Sequence, residues 1–338
     1  MKLIIRAPNW VGDAVMALPA IDIARDITGA DHVAIMARRT TAAIFAHHPN
    51  IDRVITIDDS ESRIGGTWRA IRVIKDDRYD VGVILPPSFS SAMIFKLAGV
   101  SGRIGYAGNG RSILLTRVVR PTAEKMHRAR TYTYLFEKLT GRKADFKNPS
   151  MYLSHDTIAA GERVLGEHAL SYDSGYAVIS PRAVAESRRW GSDKYGQLGA
   201  RLVAEVDCQV ILLGTTADAE AGEDVRQHAP EKIINLCGKT DLPAAAAITS
   251  FARVFVGNDS GLAHLAGAVG CPVVVLSGPD DPQETSPLCE KKTVIIKELD
   301  CISCVKNRCP KSGDAFMRCM KLISVDEVFD AATKLYRT

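Results

Sequence analysis

Arg253-Val254-Phe255-Val256-Gly257-Asn258-Asp259-Ser260-Gly261-Leu262-Ala263-His264-Leu265-Ala266 passes from an apolar run through a small polar turn into a helical pattern. Arg253–Val256 reads as a buried strand, and the helix begins near Ser260. The same form opens the chain. Leu3–Arg6 is a strand, Ala7-Pro8-Asn9-Trp10-Val11-Gly12-Asp13 a turn, and Ala14–Thr28 a helix-like stretch. Further strand-like runs at His32–Ala37, Arg53–Ile57 and Asp80–Leu85 alternate with helical segments such as Gly66–Lys75. A polar connection after Gly141 ends near Asn148-Pro149-Ser150, and Asp156–Glu167 is helical. The alternation restarts at Gly175–Ser180, Gln209–Leu213 and Lys232–Asn235, and continues through 253–256 to Pro272–Leu276.

Nearly continuous apolar strands separated by helices predict parallel sheets covered on both faces. Two such series predict an α/β protein of two doubly wound, Rossmann-like domains. The expected division is 1–168 and 169–322, with an amphipathic helix in 323–338 packing back on the N-terminal domain. Ligands of open α/β sheets bind beyond the carboxyl ends of the strands. A cleft between the two sheets is therefore the natural site.

The 338 residues suit two domains with separate cores, and 46% apolar with 24% charged side chains excludes a disordered or fibrous chain. No apolar run reaches the roughly 18–20 residues of a membrane span, and MKLIIRAPNW lacks the plan of a signal peptide. The expected compartment is the cytoplasm, with the eight cysteines mostly reduced. Net charge is +4, but residues 1–150 hold 23 Lys and Arg against 14 Asp and Glu, while the remainder hold 20 against 25. That split points one half of the chain at an anionic partner, unless it is only an uneven solvated surface.

The unusual residues follow strands. Asp13 near a helix start is either a cap or a general base taking a proton from an acceptor hydroxyl. The turn is not a dinucleotide fingerprint, because Gly-x-Gly-x-x-Gly is absent. At Ser260-Gly261-Leu262 the helix N-terminus makes an anion site, with the Ser260 hydroxyl as a further donor. Asp259 would repel phosphate and suits sugar hydroxyls instead. His264 shares a helical face with Ser260 and either reaches the ligand or is structural. In Ser187-Arg188-Arg189-Trp190, arginines after a strand can neutralise a pyrophosphate without a metal, and Trp190 reads more readily as packing than as a stacking platform. Cys301, Cys304, Cys309 and Cys319 have a spacing open to a structural metal site, to reduced thiols or to a disulfide. Cys208, Cys237, Cys271 and Cys289 read as single buried or neutral thiols.

In this order the motifs resemble the ADP-heptose:lipopolysaccharide heptosyltransferases of glycosyltransferase family 9, over essentially the whole chain. The marks are Trp10-Val11-Gly12-Asp13, Arg189-Trp190, Asn258 to His264, and Gly278-Pro279-Asp280-Asp281-Pro282. The first of these and the Cys-rich tail look most like the type II branch. The resemblance implies the glycosyltransferase-B fold, inversion at the anomeric carbon, and no cofactor or tightly bound metal. It implies that the N-terminal domain takes a Kdo- and heptose-bearing lipid A acceptor and the C-terminal domain ADP-L-glycero-D-manno-heptose. Asp13 matches the catalytic aspartate; Ser260, Gly261 and Leu262 match the pyrophosphate contacts; Asp259 matches the heptose-binding aspartate.

Arg188 stands where the family has a phosphate-binding lysine, which keeps the charge and changes its geometry. By looser alignment, Glu220 falls on a ribose contact and Thr240 on an adenine contact. Arg103, Arg111, Arg128 and Arg130 are expected to face Kdo carboxylates and lipid A phosphates. The expected setting is peripheral, on the anionic cytoplasmic face of the inner membrane of a Gram-negative bacterium. Nucleic acid is not an expected partner, since the basic excess has no aromatic RNA-binding signature. The alternatives are a type I or III enzyme with a different core acceptor, or a non-catalytic nucleotide-sugar-binding protein. A nucleotide-dependent oxidoreductase is disfavoured by the missing glycine fingerprint.

Overall fold

β1 (Lys2–Arg6) is buried from Leu3 onward because it lies in the middle of a parallel sheet covered on both faces. Around it stand β2 (His32–Arg38), β3 (Arg53–Ile57), β4 (Val81–Ile84), β5 (Gly102–Tyr106) and β6 (Arg117–Val119), in the order β3-β2-β1-β4-β5-β6. A second parallel sheet is built from β7 (Tyr176–Ser180), β8 (Gln209–Leu212), β9 (Ile233–Asn235), β10 (Val254–Asn258), β11 (Val273–Leu276) and β12 (Lys292–Ile295). Its order, β12-β11-β10-β7-β8-β9, is the same winding read from the other edge. The computed structural model describes residues 1–57 and 63–338.

Each sheet is doubly wound, as the alternation of strands and helices predicts. In each, the strand order reverses between the first and fourth strands: β1 and β4 in one, β7 and β10 in the other. The carboxyl ends of those strands are the topological switch points where such sheets take ligands. The first core is lined by Ile4, Met36, Ile55, Ile74, Ile84 and Phe95. The second sheet buries Ala177, Ile179, Val210, Leu212, Val254 and Val256 on one face and Val178, Ile211, Phe255 and Val275 on the other.

Two expectations about domain limits are corrected. The chain divides into Met1–Tyr152 and Leu153–Thr338, so the boundary falls earlier than 168. The helix His155–Gly166 goes with the second unit because Gly161 lets it press on the helix Leu242–Ser250. A Cβ at Gly161 would stand 2.8 Å from Cβ of Ala247 and 2.7 Å from the hydroxyl of Tyr172. The terminal helix Val325–Tyr336, expected to pack back on the N-terminal domain, places Val328, Phe329 and Ala332 in the second core instead. Ser324 starts it with a capping box closed by Glu327.

Candidate functional site

The turn after β1 delivers Asp13 into the first turn of a short helix, Val11–Met16, whose N-cap is Trp10. Asp13 is therefore not the cap, and its carboxylate is available for other partners. The long helix Arg128–Thr140 brings two donors to it. Nη1 of Arg128 and the hydroxyl of Tyr132 each donate to Asp13 Oδ1 at 3.4 Å. Burial, with the charge of Asp13 adding to it, pushes the Tyr132 phenol far above its ordinary value, so it stays a donor. The Asp13 side chain keeps 23% of its surface open. One carboxylate oxygen is oriented by two donors while the group as a whole remains reachable, which is the arrangement a general base needs.

Of the arginines expected to meet the acceptor, only Arg128 stands at this place. Arg130 pairs with Glu137 at 3.0 Å and lies over the Phe146 ring. Arg103 spends its guanidinium on the carbonyls of Leu114, Val100 and Ser101. Arg111 is 0% exposed and donates to the carbonyls of Tyr106 and Pro86. Arg103 and Arg111 are therefore structural, holding the loops around β5, and are withdrawn from the acceptor set. The exposed basic side chains of this region are Arg117, Arg120, Lys125, Lys138, Arg142, Lys143 and Lys147.

In the second unit three loops meet at the switch point, those after β7, β10 and β11. Trp190 ties two of them together. Its backbone N–H donates to Asn258 Oδ1 at 3.1 Å, and its Nε1 to the Ile323 carbonyl at 3.0 Å. It is buried edge-on to Tyr195, and so serves packing. Arg189 turns back on the carbonyls of Ala183 and Val184. Arg188 instead reaches across to Asp280, with Nη2 donating to Oδ1 at 2.7 Å and Nε 2.5 Å from Oδ2. Burial raises the Asp280 carboxyl, Arg188 opposes that, and the nearby charge of Asp259 adds to it.

Ser260 is the N-cap of the helix Gly261–Ala268, yet its hydroxyl makes no cap bond. The Ser260 Oγ is buried and has no hydrogen-bond partner among the described residues. The N–H groups of Gly261 and Leu262, orphaned as at every helix start, stand beside it. A buried hydroxyl and helical N–H groups with nothing to bind form an anion cradle. Asp259, next to it, lies 3.5 Å from His264 Nε2 and accepts from the Thr285 hydroxyl at 3.4 Å. His264 is thus held by Asp259 within the site. Glu220 is exposed in the first turn of Ala219–Arg226, and Thr240 lies after Gly238. Their loops meet where the Gly238 N–H donates to the Gly214 carbonyl at 3.0 Å.

Sequence reasoning named the motif residues but missed Tyr132 as a partner of Asp13, and Asp280 as the partner of Arg188. Asp280 was visible as part of a Gly-Pro-Asp-Asp-Pro turn following a strand. Tyr132 gave no signal of its own. All eight cysteines are free, and among the described residues no three His, Cys, Asp or Glu side chains are set to hold a metal ion. Burial pushes Cys208 up to about 11 and Cys237 up to about 12, so both are neutral thiols, as expected.

A model of glycosyltransferase family 9 (heptosyltransferase) matches residues 67–313. Lipooligosaccharide heptosyltransferase 2 of Haemophilus influenzae is 28% identical over 311 residues, 87% of this chain and 88% of that protein. Lipopolysaccharide heptosyltransferase 2 of Escherichia coli K12 is 29% identical over 307 residues, with the same coverage of 87% and 88%. The solved structure of E. coli ADP-heptose lps heptosyltransferase II matches with a TM-score of 0.83 at 24% identity, across 100% of this chain and 99% of that one. That likeness shows a shared fold.

Proposed function

The chain belongs to glycosyltransferase family 9, the heptosyltransferases, and from that premise we propose a donor, an acceptor and a role for each site residue. The donor is ADP-L-glycero-D-manno-heptose, and the acceptor is heptosyl-Kdo2-lipid A of the lipopolysaccharide inner core. The name of the E. coli structure supports the donor, and the names of the type 2 relatives support the acceptor.

Asp13 takes the proton from an acceptor hydroxyl, which attacks the anomeric carbon of the heptose from the face opposite ADP. The C–O bond to the diphosphate breaks, and its electron pair leaves with ADP. Arg128 and Tyr132 hold one oxygen of Asp13, which leaves the other to receive the proton. Arg188, the Ser260 hydroxyl and the N–H groups of Gly261 and Leu262 meet the charge growing on the departing diphosphate. Because these groups are already oriented, they stabilise the transition state without reorganising. Asp259, steadied by His264 and Thr285, takes heptose hydroxyls; Glu220 takes the ribose and Thr240 the adenine. The observation that carries this reading is the buried, unpartnered Ser260 hydroxyl at a helix start, next to the carboxylate of Asp259, which suits sugar hydroxyls.

Among the described residues no helix is long and apolar enough to cross a membrane. The basic excess of residues 1–150 supports peripheral contact with an anionic cytoplasmic leaflet of a Gram-negative inner membrane, where a lipid A acceptor would be met. The test is ADP release by purified protein given ADP-heptose and one of three acceptors. Kdo2-lipid A, heptosyl-Kdo2-lipid A and a longer core are compared. Turnover confined to heptosyl-Kdo2-lipid A is the expected result. Preference for the shorter or the longer acceptor would assign a type I or type III activity instead. ADP-heptose binding without turnover on any acceptor would make the protein a nucleotide-sugar binder.

A further inference from the structure

Arg188 and Asp280 come from different loops, and both loops lean on a third segment. The loop after β7 places Ser187 against the segment Ser303–Asn307, with its N–H on the Asn307 carbonyl at 3.2 Å and its hydroxyl on the Lys306 carbonyl. The loop after β11 hangs from the same segment. The Pro279 carbonyl accepts from the Val305 N–H at 2.7 Å, and the Asp280 carbonyl from the Ser303 hydroxyl at 3.3 Å. Below it Gly278 touches the Cys319 and Met320 side chains so closely that a Cβ would stand 2.6 Å from the Met320 sulfur. Five consecutive residues therefore fix both ends of one ion pair.

The pair itself is unequal. The Asp280 side chain is 6% exposed and that of Arg188 33%. A carboxylate this buried is stable only while paired; Arg188 Nη2 donates to its Oδ1 at 2.7 Å, and Nε lies 2.5 Å from Oδ2 as an ion-pair contact that makes no hydrogen bond. A guanidinium is planar and carries five N–H donors, so turning the Nε–Nη2 edge toward Asp280 leaves the Nη1 edge to donate elsewhere. The hydrogen bond from Nη2 and the adjoining Nε–Oδ2 ion-pair contact restrict its rotation.

We infer that Asp280 is a positioning residue. It holds the Arg188 guanidinium by one edge, so that the opposite edge is fixed toward the diphosphate of the donor, and the Ser303–Asn307 segment holds both partners in register. This rests on the reading that Arg188 meets the diphosphate. Asp280 itself touches no ligand and acts only through Arg188.

A double-mutant cycle on the full chain tests it, with ADP affinity measured by calorimetry and donor and acceptor KM by ADP release. Arg188→Ala weakens ADP about 10- to 100-fold, the range for a charge-assisted hydrogen bond to phosphate. Asp280→Asn, which keeps the volume and removes the charge, weakens ADP roughly fivefold and leaves the acceptor KM unchanged. In the double variant Asp280→Asn adds nothing to the loss from Arg188→Ala. Independent losses that multiply would overturn the positioning role while leaving the Arg188 reading intact. No effect of Arg188→Ala on ADP would overturn that reading, and the inference with it.

If Arg188→Ala does not fold because it strands a buried carboxylate, Arg188→Lys replaces it. Lysine keeps the charge but cannot present a fixed edge, so Asp280→Asn on that background changes ADP affinity less than about twofold. A drop in thermal midpoint, with equal rises in donor and acceptor KM, would mark Asp280 as merely structural.

Discussion

The loop after β1 and the loop after β10 stand at switch points of two sheets wound in the same order, yet they hold charge in opposite ways. Asp13 is 23% exposed and is touched at one oxygen by two donors at 3.4 Å. Asp259 after β10, and Asp280 after its neighbour β11, are each 6% exposed, one beside His264 and the other paired with Arg188. On the proposed reading, the first place keeps a carboxylate open to a hydroxyl that must approach and lose a proton. The other prepays the cost of burying charge, so that donors for an anion are rigid before it arrives. Topology supplies the place; in the proposed mechanism, burial decides which half of a displacement is done there.

Arg188→Ala should give the largest of the next effects, raising donor KM about 10- to 100-fold with a smaller change in kcat. Steady-state kinetics at saturating acceptor check it; an unchanged donor KM would mean that Arg188 does not hold the donor diphosphate in the ground state. Tyr132→Phe removes one of the two donors on Asp13 and should lower kcat roughly 5- to 10-fold with donor KM unchanged. A change in donor KM would blur the contrast between the two switch points. Ser260→Ala should weaken ADP roughly three- to tenfold. A serine at an N-cap ordinarily stabilises its helix by about 1 kcal/mol, but this hydroxyl caps nothing, so the unfolding midpoint should move by no more than about 1 °C. A fall of several degrees would show that the hydroxyl is structural.

Salt gives the mildest contrast. Transfer to a lipid A acceptor should weaken with ionic strength more steeply than ADP binding does. With Arg103 and Arg111 committed to backbone carbonyls, exposed side chains such as Arg117, Arg120, Lys143 and Lys147 would carry the slope. Equal slopes would reduce the basic half of the chain to ordinary solvated surface.

The two sheets were legible because nine of their strands are apolar runs that alternate with helices. β5, Gly-Arg-Ile-Gly-Tyr, was not, since its glycines and arginine look like a loop until Arg103 is seen folding onto the carbonyls of Leu114 and Val100. β6 is three residues long, and β12 is a partly exposed edge strand. The expected helix Ala14–Thr28 is cut into three short pieces, with Pro19 in the first turn of the second. At the site, residues within one loop were readable as motifs, but pairings across the fold were not. Asp13 meets Tyr132 from 119 positions away, and Arg188 meets Asp280 from 92. Counting charge could not separate Arg128, which stands on Asp13, from Arg111, which is wholly buried, because composition carries no burial.

The division of chemistry between the two switch points is tested most directly by Asp13→Asn, assayed for transfer and titrated with ADP in the same preparation. Transfer falls about 10²- to 10⁴-fold while the Kd for ADP is unchanged. Transfer at the wild-type rate, or a loss of ADP affinity as large as the loss of transfer, would contradict it.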